Sequence, residues 1–130
     1  MRILAVDPGD KRIGLAISDT SGTIARPLAV IKHVSRQENA KTIVGKALEL
    51  EAEMILVGLA LDSDGEIGPQ ARKALRLVEA LRSVTEMQIE TWDETDTTRK
   101  ALRLSRKPDD FIDARAAAVF LQDYLDVKKH

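Results

Sequence analysis

The chain has 130 residues, 44% hydrophobic and 32% charged, with a formal net charge of -1 and no cysteine. That is enough chain for one domain (1–130) with a single sizeable core. The missing cysteines exclude disulfides and thiolate metal sites, no apolar run approaches the roughly 18 residues of a membrane span, and the near-neutral charge requires any electrostatic site to be local. Met1-Arg2 leads straight into an apolar run without a leader-like segment, so the expectation is a cytoplasmic protein with no membrane partner. Its four aromatics, Trp92, Phe111, Phe120 and Tyr124, are too few for a base-stacking platform.

Ile3 to Asp7 is a short unbroken apolar run that stops at a carboxylate, as in a central strand covered on both faces. Pro8-Gly9-Asp10 is turn chemistry, with Gly9 free to take positive φ. Ile13, Leu15 and Ile17 alternate with Gly14, Ala16 and Ser18, which predicts a strand with one bulky and one small face. Thr23 to Ile31 reads as a third strand, bent or held at an edge by Pro27. Three strands this closely spaced leave no room for crossover helices and should form an antiparallel meander.

The period then changes. Ser35 and Glu38 form a capping-box pattern ahead of Ala40, Ile43, Val44, Ala47 and Leu48, so a helix is expected from Arg36 to Leu50. Met54 to Leu59 is a second buried strand. Gly68-Pro69 opens a helix through Ala71, Ala74, Leu75, Val78 and Leu81. Met87 to Trp92 is a fifth strand, Thr95 to Ser105 a short helix broken by Pro108, and Phe111 to Asp126 a last helix capped by Asp110. Together these elements predict an α/β fold with a five-stranded mixed sheet, an antiparallel meander followed by parallel strands, flanked by helices.

Three acids stand out. Asp7 ends the first strand, Glu94 follows the fifth, and Asp113 shares a helix face with Ala117, Phe120, Leu121 and Tyr124, so it should point where the core does. Sites in α/β sheets form beyond the carboxyl ends of parallel strands, which is where Asp7 and Glu94 would lie. Converging carboxylates are stable only when protonated, cation-paired or metal-bound, and an all-oxygen set favours Mg²⁺ or Mn²⁺. Taken singly, Asp7 also reads as the opening of a turn, Glu94 as a solvated charge and Asp113 as a partner for a helix dipole.

The cations fall in three groups. Arg72, Lys73 and Arg76 occupy the first turns of the helix after Gly68-Pro69, where the dipole disfavours positive charge and a bound phosphate would favour it. Arg99, Lys100, Arg103, Arg106 and Lys107 form a run without an acid. Arg99, Arg103 and Arg106 share one helical face suited to a nucleic-acid backbone. Lys11 and Arg12 are similar in kind. Each group also reads as a solvated face. His33 and His130 have no neighbours in sequence that suggest a ligand role.

"AVDPGDKRIGLAISD", "ILVGLALDSDGEIGPQA", "WDE" and "FIDARAAAVFLQDYLD" together resemble the YqgF/RuvX family, in that family's order and along nearly the whole chain. The resemblance implies a ribonuclease H-like fold related to the RuvC-type Holliday junction resolvases. It implies a metal-dependent nuclease that trims the 5′ end of precursor 16S rRNA, with junction resolution as the older assignment. The family's three acids fall on Asp7, Glu94 and Asp113, expected here to hold Mg²⁺ or Mn²⁺ for two-metal phosphodiester hydrolysis. The expected partner is nucleic acid, precursor rRNA or branched DNA, gripped by Lys11, Arg12, Arg72, Lys73, Arg99, Arg103 and Arg106. The chain departs from the family at Thr95, Ala60 and Asp62, where Arg, Pro and Asn are usual. Two other classes stay open: a catalytically inactive nucleic-acid or ribosome-associated binding module, and a sugar-kinase or actin-type ATPase, which would need two such domains.

Overall fold

In a computed structural model, residues 1–94 and 112–128 are described. Strands β1 (Ile3–Asp7), β2 (Arg12–Ser18) and β3 (Ala25–Lys32) are joined by tight turns and pair antiparallel. Helix α1 (Arg36–Glu49) then carries the chain to β4 (Met54–Ala60), and α2 (Pro69–Val84) carries it to β5 (Gln88–Glu94). β4 pairs parallel to β1 on one side and to β5 on the other, so the sheet order is β3-β2-β1-β4-β5. Helix α3 (Ile112–Lys128) closes the described chain. The expected helix at Thr95–Ser105, with Arg99, Arg103 and Arg106, lies outside the described residues, as does Asp110. Among the described residues no helix is long and apolar enough to cross a membrane.

The sheet is covered on both faces, and the sequence alternation assigns each side chain to its layer. Leu4, Val6, Ile13, Leu15, Ile17, Ile55 and Val57 pack toward α1 and α2, while Ile3, Ala5, Ala16, Met54 and Leu56 pack toward α3. Each fully buried large aliphatic contributes roughly 1.5–3 kcal/mol. The two-faced character of β2 has a structural purpose. Its bulky residues fill the α1/α2 layer, and its small ones let the α3 backbone come against the strand: a Cβ at Gly14 would lie 2.1 Å from the Asp113 carbonyl oxygen.

The local details bear out the edge placement of the third strand and refine other expectations. β3 is an edge strand with a bulge, because Leu15 pairs with Ala29 and Ala16 with Pro27, leaving Leu28 extra. The capping box is half made: Glu38 N–H donates to Ser35 Oγ at 3.2 Å, but the Glu38 carboxylate turns to Lys41. Gly9 does not take positive φ. It is small for another reason, since a Cβ there would stand 2.3 Å from the Arg12 carbonyl oxygen. Positive φ occurs instead at Gly22, at Gly65 and, without the help of glycine, at Glu51 (φ 59°).

Candidate active site

Three elements converge at the carboxyl end of the parallel strands, on the sheet face that α3 covers. Alternation along β1 turns Asp7 to the same face as Ile3 and Ala5, and along β5 it turns Glu94 to the face of Trp92. Asp7 is 1% exposed and Glu94 7%. Asp7 Oδ2 and Glu94 Oε1 are sealed from solvent. β5 runs further than the apolar pattern suggested: Ala60 pairs with Glu94, so Glu94 is part of the strand rather than of a loop after it.

Two glycines make the room. Gly14 is the register partner of Asp7 on β2, and the backbone of Asp113 occupies the space a side chain there would fill. On the other flank, Val6 pairs with Val57, so Gly58 follows beside Asp7 on β4. A Cβ at Gly58 would lie 2.9 Å from both Glu94 Oε2 and the Phe120 ring. Asp7 therefore stands between two gaps, with Asp113 over one and the Glu94 carboxylate over the other. Gly14 was visible in the sequence as part of the small face of β2. Gly58 lay inside the expected strand from Met54 to Leu59 but was given no role of its own, because its use appears only when β5 is laid beside it.

Arg12 reaches one of these acids, its Nε 3.6 Å from Asp113 Oδ2. The Arg12 side chain is 49% exposed and that of Asp113 14%, so the pair is partly screened and one end can still reach a ligand. Lys11 begins the same edge, and with Arg12 and Lys32 it lines a shallow groove. Lys73 goes elsewhere: it pairs with Asp10, and its ammonium holds the Asp10 carboxyl below the ordinary carboxylate range. Arg72 is exposed on α2. The start of α2 is not an open phosphate cradle. Asp62 accepts from Asp64 N–H and Glu66 N–H and brings its second carboxylate oxygen beside Gly68.

An all-oxygen set on rigid strands, with space held open by two glycines, fits a hard divalent cation in donor chemistry and in placement. Among the described residues no three His, Cys, Asp or Glu side chains already close on one point. Asp113 leans toward Arg12 instead, so it would exchange that partner to complete a three-carboxylate set.

Comparison with known proteins identifies the family. The RuvX family, described as Holliday junction resolvase, matches residues 1–127. The chain belongs to the RuvX family. Among related RuvX-type proteins, one from Thermoanaerobacter pseudethanolicus, named "Putative pre-16S rRNA nuclease", is 44% identical with 100% of this chain and 99% of its own length aligned. One of the same name from Caldanaerobacter subterraneus is 41% identical over the same shares. Among solved structures, Thermus thermophilus RuvC in complex with a Holliday junction superposes with a TM-score of 0.56 at 18% identity, covering 99% of this chain and 96% of that one. The fowlpox virus resolvase bound to junction DNA gives 0.56 at 12% identity over the full length of both. These likenesses establish for this RuvX-family chain the ribonuclease H-like fold that the resemblance in sequence implied.

Proposed function

We propose that this RuvX-family chain is a metal-dependent nuclease that hydrolyses phosphodiester bonds and trims the 5′ end of precursor 16S rRNA, with Asp7, Glu94 and Asp113 as its catalytic acids. The observation that carries the reading is Asp7 between Gly14 and Gly58, with Asp113 above one gap and Glu94 above the other. A structural acid needs no such clearance on both sides. The names of the relatives supply the reaction and the rRNA substrate.

Asp7, Glu94 and Asp113 would hold Mg²⁺ or Mn²⁺. When bound, such an ion supplies a Lewis acid that activates water and offsets the negative charge growing on the phosphoryl oxygens. The chain's own residues do the rest. Asp7, on a strand buried on both faces, cannot swing away from a substrate. Glu94 keeps one oxygen out of exchange with bulk water. Arg12 holds Asp113 until substrate arrives, and its exposed end is within reach of a phosphate oxygen. Lys11, and beyond the described residues Arg99, Arg103 and Arg106, offset the repulsion between three carboxylates and a polyanion.

Asp7→Asn tests this. Cleavage of a precursor 16S rRNA fragment in Mn²⁺ should fall to background while the melting temperature is kept, since removing a like charge relieves repulsion. Wild-type turnover in Asp7→Asn would remove the acids from the chemistry, and a melted variant would make Asp7 structural. A wild-type protein that binds no Mn²⁺, with or without nucleic acid, and cleaves no RNA would be the inactive module. Junction resolution is the second reading, favoured by full-length superposition on two junction-bound resolvases. Faster cleavage of a four-way DNA junction than of the rRNA fragment would select it.

A further inference from the structure

The turn after Asp7 has a second side. Pro8, Gly9 and Asp10 form one wall of a cavity of about 300 Å³ whose remaining lining includes His33, Arg36, Lys73 and Arg76. It belongs to the α1/α2 side of the sheet, with Ile13 and Leu77 at its base, whereas the three acids face α3. Its size is at the small end for a ligand pocket.

The charges in it are unbalanced. Asp10, the carboxylate among the lining residues, is already engaged by Lys73. Among the described residues neither Arg36 nor Arg76 makes an ion pair. Two exposed guanidiniums, from different helices, thus line one hollow whose carboxylate is already taken by Lys73, an arrangement that favours an incoming anion.

The polar wall beside them is also organised. Asn39 is buried, and its Oδ1 accepts from Val34 N–H at 3.1 Å, which fixes the orientation of its amide. Its Nδ2 therefore donates to His33 Nδ1 at 2.9 Å, leaving Nε2–H as the donor of the neutral His33 ring. An exposed histidine whose tautomer is set by a buried asparagine is a prepared donor rather than a loose one.

We propose that this cavity is a phosphoryl-binding pocket for a backbone phosphate of the same strand that is cut at Asp7, with the strand crossing the sheet edge over Pro8-Gly9. The inference rests on the nuclease reading for the identity of that strand. Bidentate Arg36 and Arg76 would grip the phosphate and His33 Nε2–H would complete the donor set.

The test is fluorescence anisotropy of a short single-stranded RNA, in Ca²⁺ to suppress turnover, across a series of salt concentrations. Arg36→Ala/Arg76→Ala should lower the slope of log affinity against log salt by about 0.7, the value for one phosphate left unneutralised on a single strand. Lys41→Ala/Lys46→Ala, which removes the same charge from elsewhere on α1, should leave the slope unchanged. In parallel, inorganic phosphate should shift the NMR signals of the Asn39 side-chain amide and the His33 ring in the wild type and not in the double arginine variant. An unchanged slope in the arginine variant, with a wild type that still cleaves RNA, overturns the pocket and leaves the nuclease standing. Phosphate shifts in a wild type that binds no RNA overturn the backbone assignment in favour of a free anion. Equal slope losses in both double variants overturn it in favour of diffuse charge.

Discussion

A methyl group on residue 58 would stand 2.9 Å from a carboxylate oxygen of Glu94 and the same distance from the Phe120 ring. Phe120 is locked in the core, so the acid is the group that would move. Gly58→Ala should therefore reduce cleavage severely and cost about 1–3 kcal/mol of stability through overpacking, checked by nuclease rate and urea unfolding side by side. Full activity in that variant would mean Glu94 is free to work from another position. Tyr124 offers a separate probe at the far end of the same layer. Its ring meets Trp92 edge-on at 5.2 Å, and its hydroxyl donates to Glu90 at 3.0 Å. Burial, and then the bond to Glu90, push the phenol up to about 12 from 10. The folded state thus favours the neutral ring. That contribution is whole below pH 10 and is lost as pH rises from 10 toward 12. As the chain's single tyrosine, it can be followed by phenolate absorbance, which should rise near pH 12 while the fold holds. A phenolate band growing in around pH 10 in the folded protein would show that Tyr124 is not held this way.

Helix α1 ends in a way the sequence conceals. Glu51 N–H bonds to the Leu48 carbonyl and Ala52 N–H to the Ala47 carbonyl, the paired bonds of a terminus that reverses through a left-handed residue. That residue is Glu51, with its Cβ crowded against its own backbone. Glu51→Gly should raise unfolding free energy by about 1 kcal/mol, measured by urea titration, and no gain would mean the strain is relieved elsewhere. A glycine would have announced this stop, and glutamate does not. The same contrast runs through the other elements. Strand alternation and helical spacing were legible because burial enforces them residue by residue, which is why β1, β2, α1 and the face of α3 came out nearly to the residue. Asp7 and Asp113 stood out as candidates because each breaks an apolar pattern, and Glu94 through its place at the end of the fifth strand and in the Trp-Asp-Glu motif. Gly58 and the pocket of His33, Arg36 and Arg76 did not. Their meaning arises only where separate elements meet, and no local period carries it.

At the scale of the molecule, a chain with net charge -1 has to bind a polyanion through a local surface. Under the proposed nuclease function, the groove of Lys11, Arg12 and Lys32 serves as one part of that surface and the run from Arg99 to Lys107 as another. Changing Arg99, Arg103 and Arg106 together should lower the salt slope for single-stranded RNA by up to about 2, near 0.7 for each phosphate left unneutralised, and weaken binding about equally for all sequences. A triple variant with the wild-type slope would reduce that run to a solubilising face.

The close seating of α3 on Gly14 has one more effect. Glu94 is held by pairing with β4, and Asp113 by the backbone gap in β2. The thickness of one absent side chain on β2 thus acts as a spacer: it sets how near α3 comes to the sheet, and with it how far Asp113 stands from Asp7. The dimension that separates the two acids is written in a glycine rather than in either carboxylate.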